Sequence, residues 1–535
     1  MKNTFNYLFI TVSLLLFSSC ISEKSKQKAL TNTEIKIESE TETKVDIFII
    51  NGTVYSGENK PAQPLNIAIC KQEICGIFPK GVTIKADKVI DASGKIVSPG
   101  FIDPHTHSLA ELLSKDKNNN LNYLTQGVTT VINGNDGDGP VDIKRMSERL
   151  KKNGIGTNVG LLVGHGSVRK QVMGKVQRYA NEDELNQMQQ LVTKAMQDGA
   201  LGFSTGLYYV PGSYANTDEV LTLATIAGQY HGIYDTHLRD ESTFSIGFEA
   251  ALDEAIYIAE QGNIHLNLAH IKALGVDVWG QSELAIDKIT QAQKRGVSIS
   301  ADQYPWLASG TKLHSAVMPK WAMADSINAF HQRLNDPNLS ARLQTEIKEN
   351  IRRRGGADSL LITDFIDKNM VGMTLNDAAK RYDLTAVNMA IKLVQQGEVR
   401  VASFNMSGED VERFMIQPWV ITSSDGTNGH PRKYASFPKK FQDYVVDKKL
   451  LSVNQFIQQS SGKTAQVLGF TDRGFIKKGY KADIIVFDKN SFKANANFSK
   501  WNEYSSGVEH VLVNGQHVIE SSQYGNKLAG EFVAR

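Results

Sequence analysis

Eight short apolar segments, each with the pattern of a β-strand, alternate along this chain with segments of helical periodicity. A parallel strand can rejoin its sheet only through a long crossover, usually a helix, so this alternation predicts parallel β/α architecture. Eight such strands favour a (β/α)8 TIM barrel, in the α/β fold class. We place the strands at residues 97–104, 129–133, 159–164, 201–204, 233–236, 264–269, 297–302 and 420–424.

Three further segments lie outside this pattern. The stretch between strands seven and eight is far longer than one helix needs, which predicts a small inserted subdomain at 314–375. Residues 45–98 and 472–535 return to strand-like patterns, so we expect them to form one β-sandwich domain built from both chain ends. The barrel with its insertion then covers residues 99–471.

The N-terminus has the features of a bacterial export signal. Lys2 precedes an apolar stretch at 8–17 that is too short to span a membrane, which predicts a signal peptide at 1–19. The small residues before Cys20 resemble a lipobox, in which the cysteine is acylated after cleavage; the alternative is a plain signal peptide with an incidental cysteine. Residues 20–44, rich in Lys and Glu, predict a flexible linker. We therefore expect a lipoprotein anchored in the cell envelope, on its periplasmic or cell-surface side.

Charge and composition limit the partners. The 59 Lys and Arg residues are balanced by 57 Asp and Glu, so the basic excess of a nucleic-acid-binding protein is missing. With 41% hydrophobic residues, the chain is able to bury a large core. We expect a small-molecule partner, no nucleic acid, and membrane contact only through the lipid anchor, while the oligomeric state stays open.

Two cysteines, Cys70 and Cys75, lie in a predicted β-hairpin. A turn at 72–73 would place them directly opposite each other, whereas a turn at 71–72 would make them diagonal neighbours. An exported location permits a disulfide. The sequence leaves open whether one forms.

Polar residues follow the predicted barrel strands at the end where the βα loops of such barrels carry chemistry. Two histidines separated by one residue end strand one, and an extended chain points both the same way, which suits one metal ion. Single histidines or carboxylates end several other strands. The residues at these ends are His105 and His107, Asp136 and Asp138, His237, His270, and Asp425.

Several of these residues lie in longer motifs that together carry a family resemblance. The motifs are PGFIDPHTH at 99–107, GVTTV at 127–131, GALGFSTGLYY at 199–209, THLRDE at 236–241, HIK at 270–272, SDG at 424–426 and HPR at 430–432. With them, the chain resembles the D-aminoacylase, or N-acyl-D-amino-acid deacylase, family of the metal-dependent amidohydrolase superfamily. The resemblance covers nearly everything from Val45 onward and implies a barrel flanked by a β-sandwich.

The resemblance also implies a metal site. His105, His107 and Asp425 resemble one metal subsite, and His237 and His270 resemble the other. One or two divalent ions are implied, with Zn²⁺ as the first choice. Asp425 resembles the catalytic residue that takes a proton from the attacking water and returns it to the leaving amine.

Asp136 departs from the family pattern, which has a cysteine ligand in its place. Our hypothesis is that Asp136 replaces that thiolate as a third ligand beside His237 and His270, since Gly134 and Gly137 let the loop bring a short side chain close. The alternative is that it only caps the loop. A carboxylate is a harder ligand than a thiolate, so Mn²⁺ and Co²⁺ are alternatives to Zn²⁺.

Four residues are implied as substrate contacts. The family pattern places Tyr304 near the scissile carbonyl and Arg432 at the free carboxylate of the substrate. A serine expected after the tyrosine has Ser309 or Thr311 as candidates. Lys272 is a further polar contact.

The function implied is hydrolysis of the amide bond of N-acyl-D-amino acids, which releases a D-amino acid and a carboxylate. One alternative is a dipeptidase for dipeptides with a C-terminal D-residue, because an aminoacyl group is chemically an acyl group. An alternative of another class is a non-catalytic solute-binding lipoprotein.

Overall fold

The predicted barrel is present as a single sheet of eight parallel strands. The computed structural model describes residues 44–535, so the predicted signal peptide, the lipidated Cys20 and the linker up to residue 43 lie outside the described residues. A parallel bridge between Thr106 and Gly426 connects the ends of the first and last strand segments. In order, the barrel strands are Phe101–Thr106, Val128–Asn133, Asn158–Gly164, Gly202–Gly206, Ile233–His237, His265–Leu268, Ile299–Gln303 and Val420–Thr422.

The prediction for the first barrel strand is wrong in one respect. The predicted segment 97–104 contains two strands, Ile96–Pro99 and Phe101–Thr106, which belong to different sheets. Between them, Gly100 packs so closely on strand two that a Cβ there would lie 2.2 Å from Oγ1 of Thr129. Both strands are fully buried and only one residue separates them, so the pattern gives no sign that the chain changes sheets.

A second sheet, here called the terminal sheet, combines both ends of the described chain, as predicted. Its central contact is antiparallel pairing between Ile96–Pro99 and Ile484–Phe487. Its nine strands are Val45–Val54, Gln63–Cys70, Glu73–Pro79, Ala86–Asp91, Ile96–Pro99, Ile484–Phe487, Val508–Val513, Gln516–Glu520 and Gln523–Tyr524.

Cys70 and Cys75 form a disulfide at one edge of the terminal sheet. Cys70 pairs with Glu73 in the ladder, so the turn lies at Lys71 and Gln72 and the cysteines are diagonal neighbours. Their Cα atoms are 5.6 Å apart, a usual separation for bridged cysteines.

A third sheet belongs to the segment between barrel strands seven and eight, here called the insertion. Its strands are Ala308–Lys312, Leu360–Asp364 and Arg400–Phe404, with the last strand in the middle. The insertion therefore runs from 308 to 404, further in both directions than the predicted 314–375. It has its own hydrophobic core, in which Leu393 is fully buried. The two outer boundaries were missed because these strands are short and half polar.

The helices cover the barrel and the insertion sheet. No helix between residues 44 and 535 combines the length and apolar character that crossing a bilayer requires. The α-helices are Leu109–Leu112, Leu121–Leu124, Ile143–Asn153, His165–Met173, Glu182–Gln197, Thr217–Gln229, Phe248–Gln261, Ser282–Lys294, Leu313–Val317, Ile327–Asn335, Pro337–Arg353, Leu375–Arg381, Ala386–Gln396, Gly408–Met415, Arg432–Lys440, Val453–Ser460 and Gly462–Val467.

Candidate metal centre

The predicted metal ligands all lie at the ends of barrel strands. Three of them, Asp136, His270 and Asp425, have positive φ angles of 57°, 36° and 46°. Residues other than glycine rarely adopt this conformation, and such backbone strain concentrates at functional sites. The backbone N–H of Asp425 also donates to the carbonyl of His105, which joins the last loop to the first strand.

The side chains form two groups whose ligand atoms lie within 4.8 Å of one another. In the first group, Nε2 of His107 lies 3.4 Å from Oδ2 of Asp136 and 3.3 Å from Oδ1 of Asp425. In the second group, Nε2 of His270 lies 3.3 Å from Oδ1 of Asp136 and 2.8 Å from Nδ1 of His237. The groups are His105, His107, Asp136 and Asp425, and Asp136, His237 and His270.

Asp136 belongs to both groups. Our hypothesis placed it beside His237 and His270 only, whereas its carboxylate also lies 3.5 Å from Nε2 of His105. Asp138, two residues later in the same loop, belongs to neither group. Asp136 is therefore positioned between the two subsites.

The residues present suit a divalent cation. Both ring nitrogens of His105 and Oδ1 of Asp136 are buried without a hydrogen-bond partner in the described part of the chain. Buried polar atoms are normally satisfied, so these three mark a place where another group belongs. Histidine nitrogens and carboxylate oxygens are the ligands that Zn²⁺ and related ions take.

The two central carboxylates are held in the ionised form. Burial raises the pKa of Asp136, but His105 and His270 outweigh burial and bring that pKa well below its usual range. Burial likewise raises the pKa of Asp425, and the guanidinium of Arg432 and the hydrogen bond from His107 reverse the effect. Ionised carboxylates are the form that binds a metal ion.

Glu241 is a site residue without a predicted role, although it lies in the THLRDE motif. Its Oε1 accepts a hydrogen bond from Nζ of Lys272 at 2.6 Å and lies 3.2 Å from Nδ1 of His270. Nζ of Lys272 also lies 2.7 Å from that same Nδ1. Lys272, predicted as a substrate contact, thus lies among the groups that orient a metal ligand. The signal was available, since THLRDE places Glu241 four residues after His237.

Buried carboxylates inside the barrel form a further supporting layer that the sequence reasoning missed. Asp302 accepts from the backbone N–H of His270 at 3.0 Å and from Asn267, which also donates to Asp235. Asp302 lies 3.7 Å from Nδ1 of His105. An acidic residue within a predicted barrel strand, as in Ile299–Gln303 and Ile233–His237, is the pattern that would have shown this layer.

Arg432, one of the predicted substrate contacts, lies next to Asp425, and Tyr304, another of them, lies next to Arg432. Nη1 of Arg432 lies 2.7 Å from Oδ2 of Asp425, and its guanidinium stacks 4.7 Å from the centre of the Tyr304 ring. Arg432 is buried and paired with Asp425, and its role as a contact for the substrate carboxylate stays a prediction. Ser309 is buried at the cavity wall, where its hydroxyl donates a hydrogen bond to the side-chain oxygen of Asn405 at 3.0 Å.

A cavity of about 1090 Å³ opens above the two groups. Its floor includes His107, Asp136, His237 and Asp425, and the insertion supplies much of the facing wall. The metal groups are therefore accessible to a small molecule.

Comparison with known proteins identifies the class. The Amidohydro_3 model of the amidohydrolase family matches residues 88–232 and 343–519, so the chain belongs to the amidohydrolase family. This confirms the family resemblance, and it makes the chain a hydrolase of amide bonds with a site for divalent metal.

Individual relatives are similar to this chain over most of its length. A D-aminoacylase of Alcaligenes xylosoxydans xylosoxydans is 28% identical over 519 residues, which cover 92% of this chain and 98% of the relative. A structure of D-aminoacylase studied for its binuclear metal centre superposes with a TM-score of 0.78 at 26% identity, covering 92% of this chain and all of that one. N-acyl-D-glutamate deacylase from Bordetella bronchiseptica, complexed with zinc and a phosphonate mimic of the tetrahedral intermediate, has a TM-score of 0.79 at 27% identity over the same shares.

Proposed function

We propose that this protein hydrolyses the amide bond of N-acyl-D-amino acids, releasing a D-amino acid and a carboxylate. The observation that carries the proposal is the pair of ligand groups sharing Asp136 at the floor of an open cavity. The D-aminoacylase and N-acyl-D-glutamate deacylase structures support it, since the likeness extends over 92% of the chain.

A divalent ion bound here supplies a Lewis acid and activates water. The other steps belong to the chain. Asp425 is ionised beside His107 and faces the cavity, so its carboxylate is placed to take a proton from the water nucleophile and return it to the leaving nitrogen. Arg432 keeps Asp425 charged and oriented, and Tyr304 supports the guanidinium from behind.

Metal identity is part of the proposal. We infer that Asp136 is a ligand common to both subsites and that Zn²⁺, Mn²⁺ and Co²⁺ all support activity, because an oxygen ligand replaces sulfur at this position. The zinc complex of the Bordetella relative supports zinc as the first ion to test.

The test is a substrate panel on the purified, metal-loaded chain. N-acetyl-D-amino acids, their L-enantiomers and L,D-dipeptides are compared by release of free amine. We expect turnover of the D-series, none of the L-series, and loss of turnover after chelation that added Zn²⁺ restores. Hydrolysis of the dipeptides alone would replace the proposal by the dipeptidase alternative, and binding without turnover would favour the solute-binding one.

We also propose that the protein is a cell-envelope lipoprotein anchored through Cys20. The support is the sequence before Cys20 and the linker after it. In cell fractionation, Cys20→Ala should move the processed protein from the membrane fraction to the soluble one. Retention of the variant in the membrane fraction would refute the anchor.

A further inference from the structure

A long irregular connection, residues 488–507, joins two strands of the terminal sheet. The strands, Ile484–Phe487 and Val508–Val513, are antiparallel neighbours, and such a hairpin can be closed by about two to five residues. A much longer connection usually has a function of its own. We call residues 488–507 the aromatic connection, because it carries Phe492, Phe498, Trp501 and Tyr504.

Phe498 brings the aromatic connection into contact with three other parts of the chain. Its ring centre lies 5.6 Å from that of Trp306, 4.8 Å from that of Phe404 and 5.0 Å from that of His430. Trp306 precedes the first strand of the insertion, Phe404 ends its last strand, and His430 belongs to the HPR motif. Phe498 therefore packs where the insertion leaves and rejoins the barrel, next to the loop that carries Arg432.

His430 is held in one orientation by hydrogen bonds at both ring nitrogens. Its Nδ1 accepts from the backbone N–H of Arg432 at 3.1 Å, and its Nε2 donates to the carbonyl of Ala308 at 3.0 Å. One accepting and one donating nitrogen define a neutral imidazole, and burial favours the same form, since it lowers the pKa of His430 well below its usual range. The ring thus ties the HPR loop to the first strand of the insertion.

Two aromatic rings pack on this imidazole. Trp306 meets it edge to face at an interplanar angle of 88°, and Phe498 does so at 79°. Trp306 is itself fixed, since its Nε1 donates to the hydroxyl of Ser436 at 3.2 Å. Phe498 comes from outside the barrel, so the aromatic connection completes the packing around His430.

This packing is relevant to the reaction because the contacts lead to Asp425. Arg432, whose backbone N–H bonds His430, begins the helix Arg432–Lys440, and its Nη1 lies 2.7 Å from Oδ2 of Asp425. A general acid and base works only when it is closely aligned with the reacting atoms. A shift of the His430 ring would therefore displace the guanidinium that orients Asp425.

We propose that Phe498 is a positioning residue for the reaction, which fixes the orientation of Asp425 through His430 and Arg432. This inference rests on the proposed function. It gives the terminal sheet a part in the chemistry, although the candidate metal ligands all lie on the barrel. A ring that only covered apolar surface would contribute to stability alone.

The kinetic test removes the ring and keeps an apolar side chain, in the metal-loaded full chain with an N-acetyl-D-amino acid as substrate. Phe498→Leu and Phe498→Met should each lower kcat by about 10- to 100-fold, as expected for a small misplacement of a catalytic group. KM should change little, because Asp425 acts in the chemical step. Phe498→Tyr keeps the ring and should keep most of the rate.

Tyr504→Leu is the matched control. Tyr504 lies in the same aromatic connection, is half exposed, and contacts the ring of Tyr434. Its replacement should leave kcat as in the wild type, with equal metal content in every sample. A kcat close to wild type in Phe498→Leu would overturn the proposal, as would a lost rate in Phe498→Tyr or an equal loss in Tyr504→Leu.

Hydrogen exchange separates this proposal from the proposed function. If no N-acyl-D-amino acid is turned over, the proposed function fails, but the bond between His430 and the Arg432 amide is still measurable. Exchange of that amide should be faster in Phe498→Leu and should keep its wild-type rate in Phe498→Tyr and Tyr504→Leu. An unchanged exchange rate in Phe498→Leu would refute the positioning role.

Discussion

Two regions face each other across one cavity, yet they are built differently. The barrel mouth comprises the strand ends that carry the two ligand groups, and the insertion wall is the cavity lining that comes from residues 308–404. At the mouth, every predicted ligand lies within a few residues of a strand end, and the groups are densely paired around Asp136. On the insertion wall, Lys320 begins a short 3-10 helix and Arg354 directly follows the helix Pro337–Arg353, and neither forms an ion pair within residues 44–535.

The difference separates two tasks. The mouth is held by hydrogen bonds that buried carboxylates such as Asp302 and Glu241 accept, which suits the fixed geometry that hydrolysis needs. The wall belongs to a subdomain whose hydrophobic core is separate from that of the barrel. The candidate metal ligands thus all belong to the barrel, while the insertion contributes to the lining of the cavity.

The strongest test of the mouth is Asp136→Ala. Because Asp136 lies between both groups, its loss should remove tight metal binding and activity together, and Asp136→Cys should restore binding with a preference for zinc. Metal content of the purified proteins is the measurement. Asp138→Ala, in the same loop, is the matched control and should keep its metal; full occupancy and activity in Asp136→Ala would exclude the ligand role.

A second change addresses the proton shuttle. Asp425→Asn should fold normally but lose turnover by roughly two to four orders of magnitude, the usual contribution of a general acid and base. Steady-state kinetics on samples of matched metal content measure the loss. Turnover close to wild type in a metal-loaded sample would mean that another group moves the proton.

Arg432→Ala tests whether that arginine serves Asp425 or the substrate. Losing a charge-assisted contact with Asp425 should lower kcat/KM by roughly two to three decades. Substrates with a free and with an amidated α-carboxylate should be affected alike. If only the free acids lose rate, Arg432 binds the substrate carboxylate, as the family resemblance implied.

Glu241→Gln tests the contacts through which Glu241 and Lys272 orient the candidate ligand His270. Gln keeps the shape but loses the charge that holds Lys272 against His270, so metal affinity should fall by roughly 10- to 100-fold. Competition with a chelator measures the change. Exposed Glu249, on the helix that begins at Phe248, provides the control Glu249→Gln, and an affinity unchanged in Glu241→Gln would show that Lys272 alone orients the histidine.

The smallest effect on the metal site is expected from a substitution in the core of the insertion. Leu393→Ala should destabilise its core by about 2 to 5 kcal/mol, since Leu393 is fully buried there. Hydrogen exchange should increase within 308–404 while metal content stays that of the wild type. Loss of metal in this variant would contradict the independence of the two regions.

Sequence patterns predicted the barrel well because its strands are buried on both faces and read as short apolar runs. They predicted the ligand positions because these follow the strand ends directly, and the family motifs assigned their roles. They failed where tertiary contacts decide. The break at Gly100 has no local signal, and the pairing of Arg432 with Asp425 depends on the conformation of the loop between them. In the sequence, Lys320 is indistinguishable from a surface lysine, and its place at the cavity wall follows only from the fold of the insertion.

The terminal sheet has a consequence for how the protein folds. Nζ of Lys95 bonds the carboxylate of Asp488, 393 residues later, so the two halves of this sheet meet only across the whole barrel. Contacts so distant in sequence form slowly, because the chain between them must first be ordered. Until this pairing forms, we expect the early strands to have an unpaired edge, and an unpaired edge invites association with other chains. Pairing of Ile96–Pro99 with Ile484–Phe487 thus marks the end of that vulnerable period, and the speed of barrel assembly sets its length.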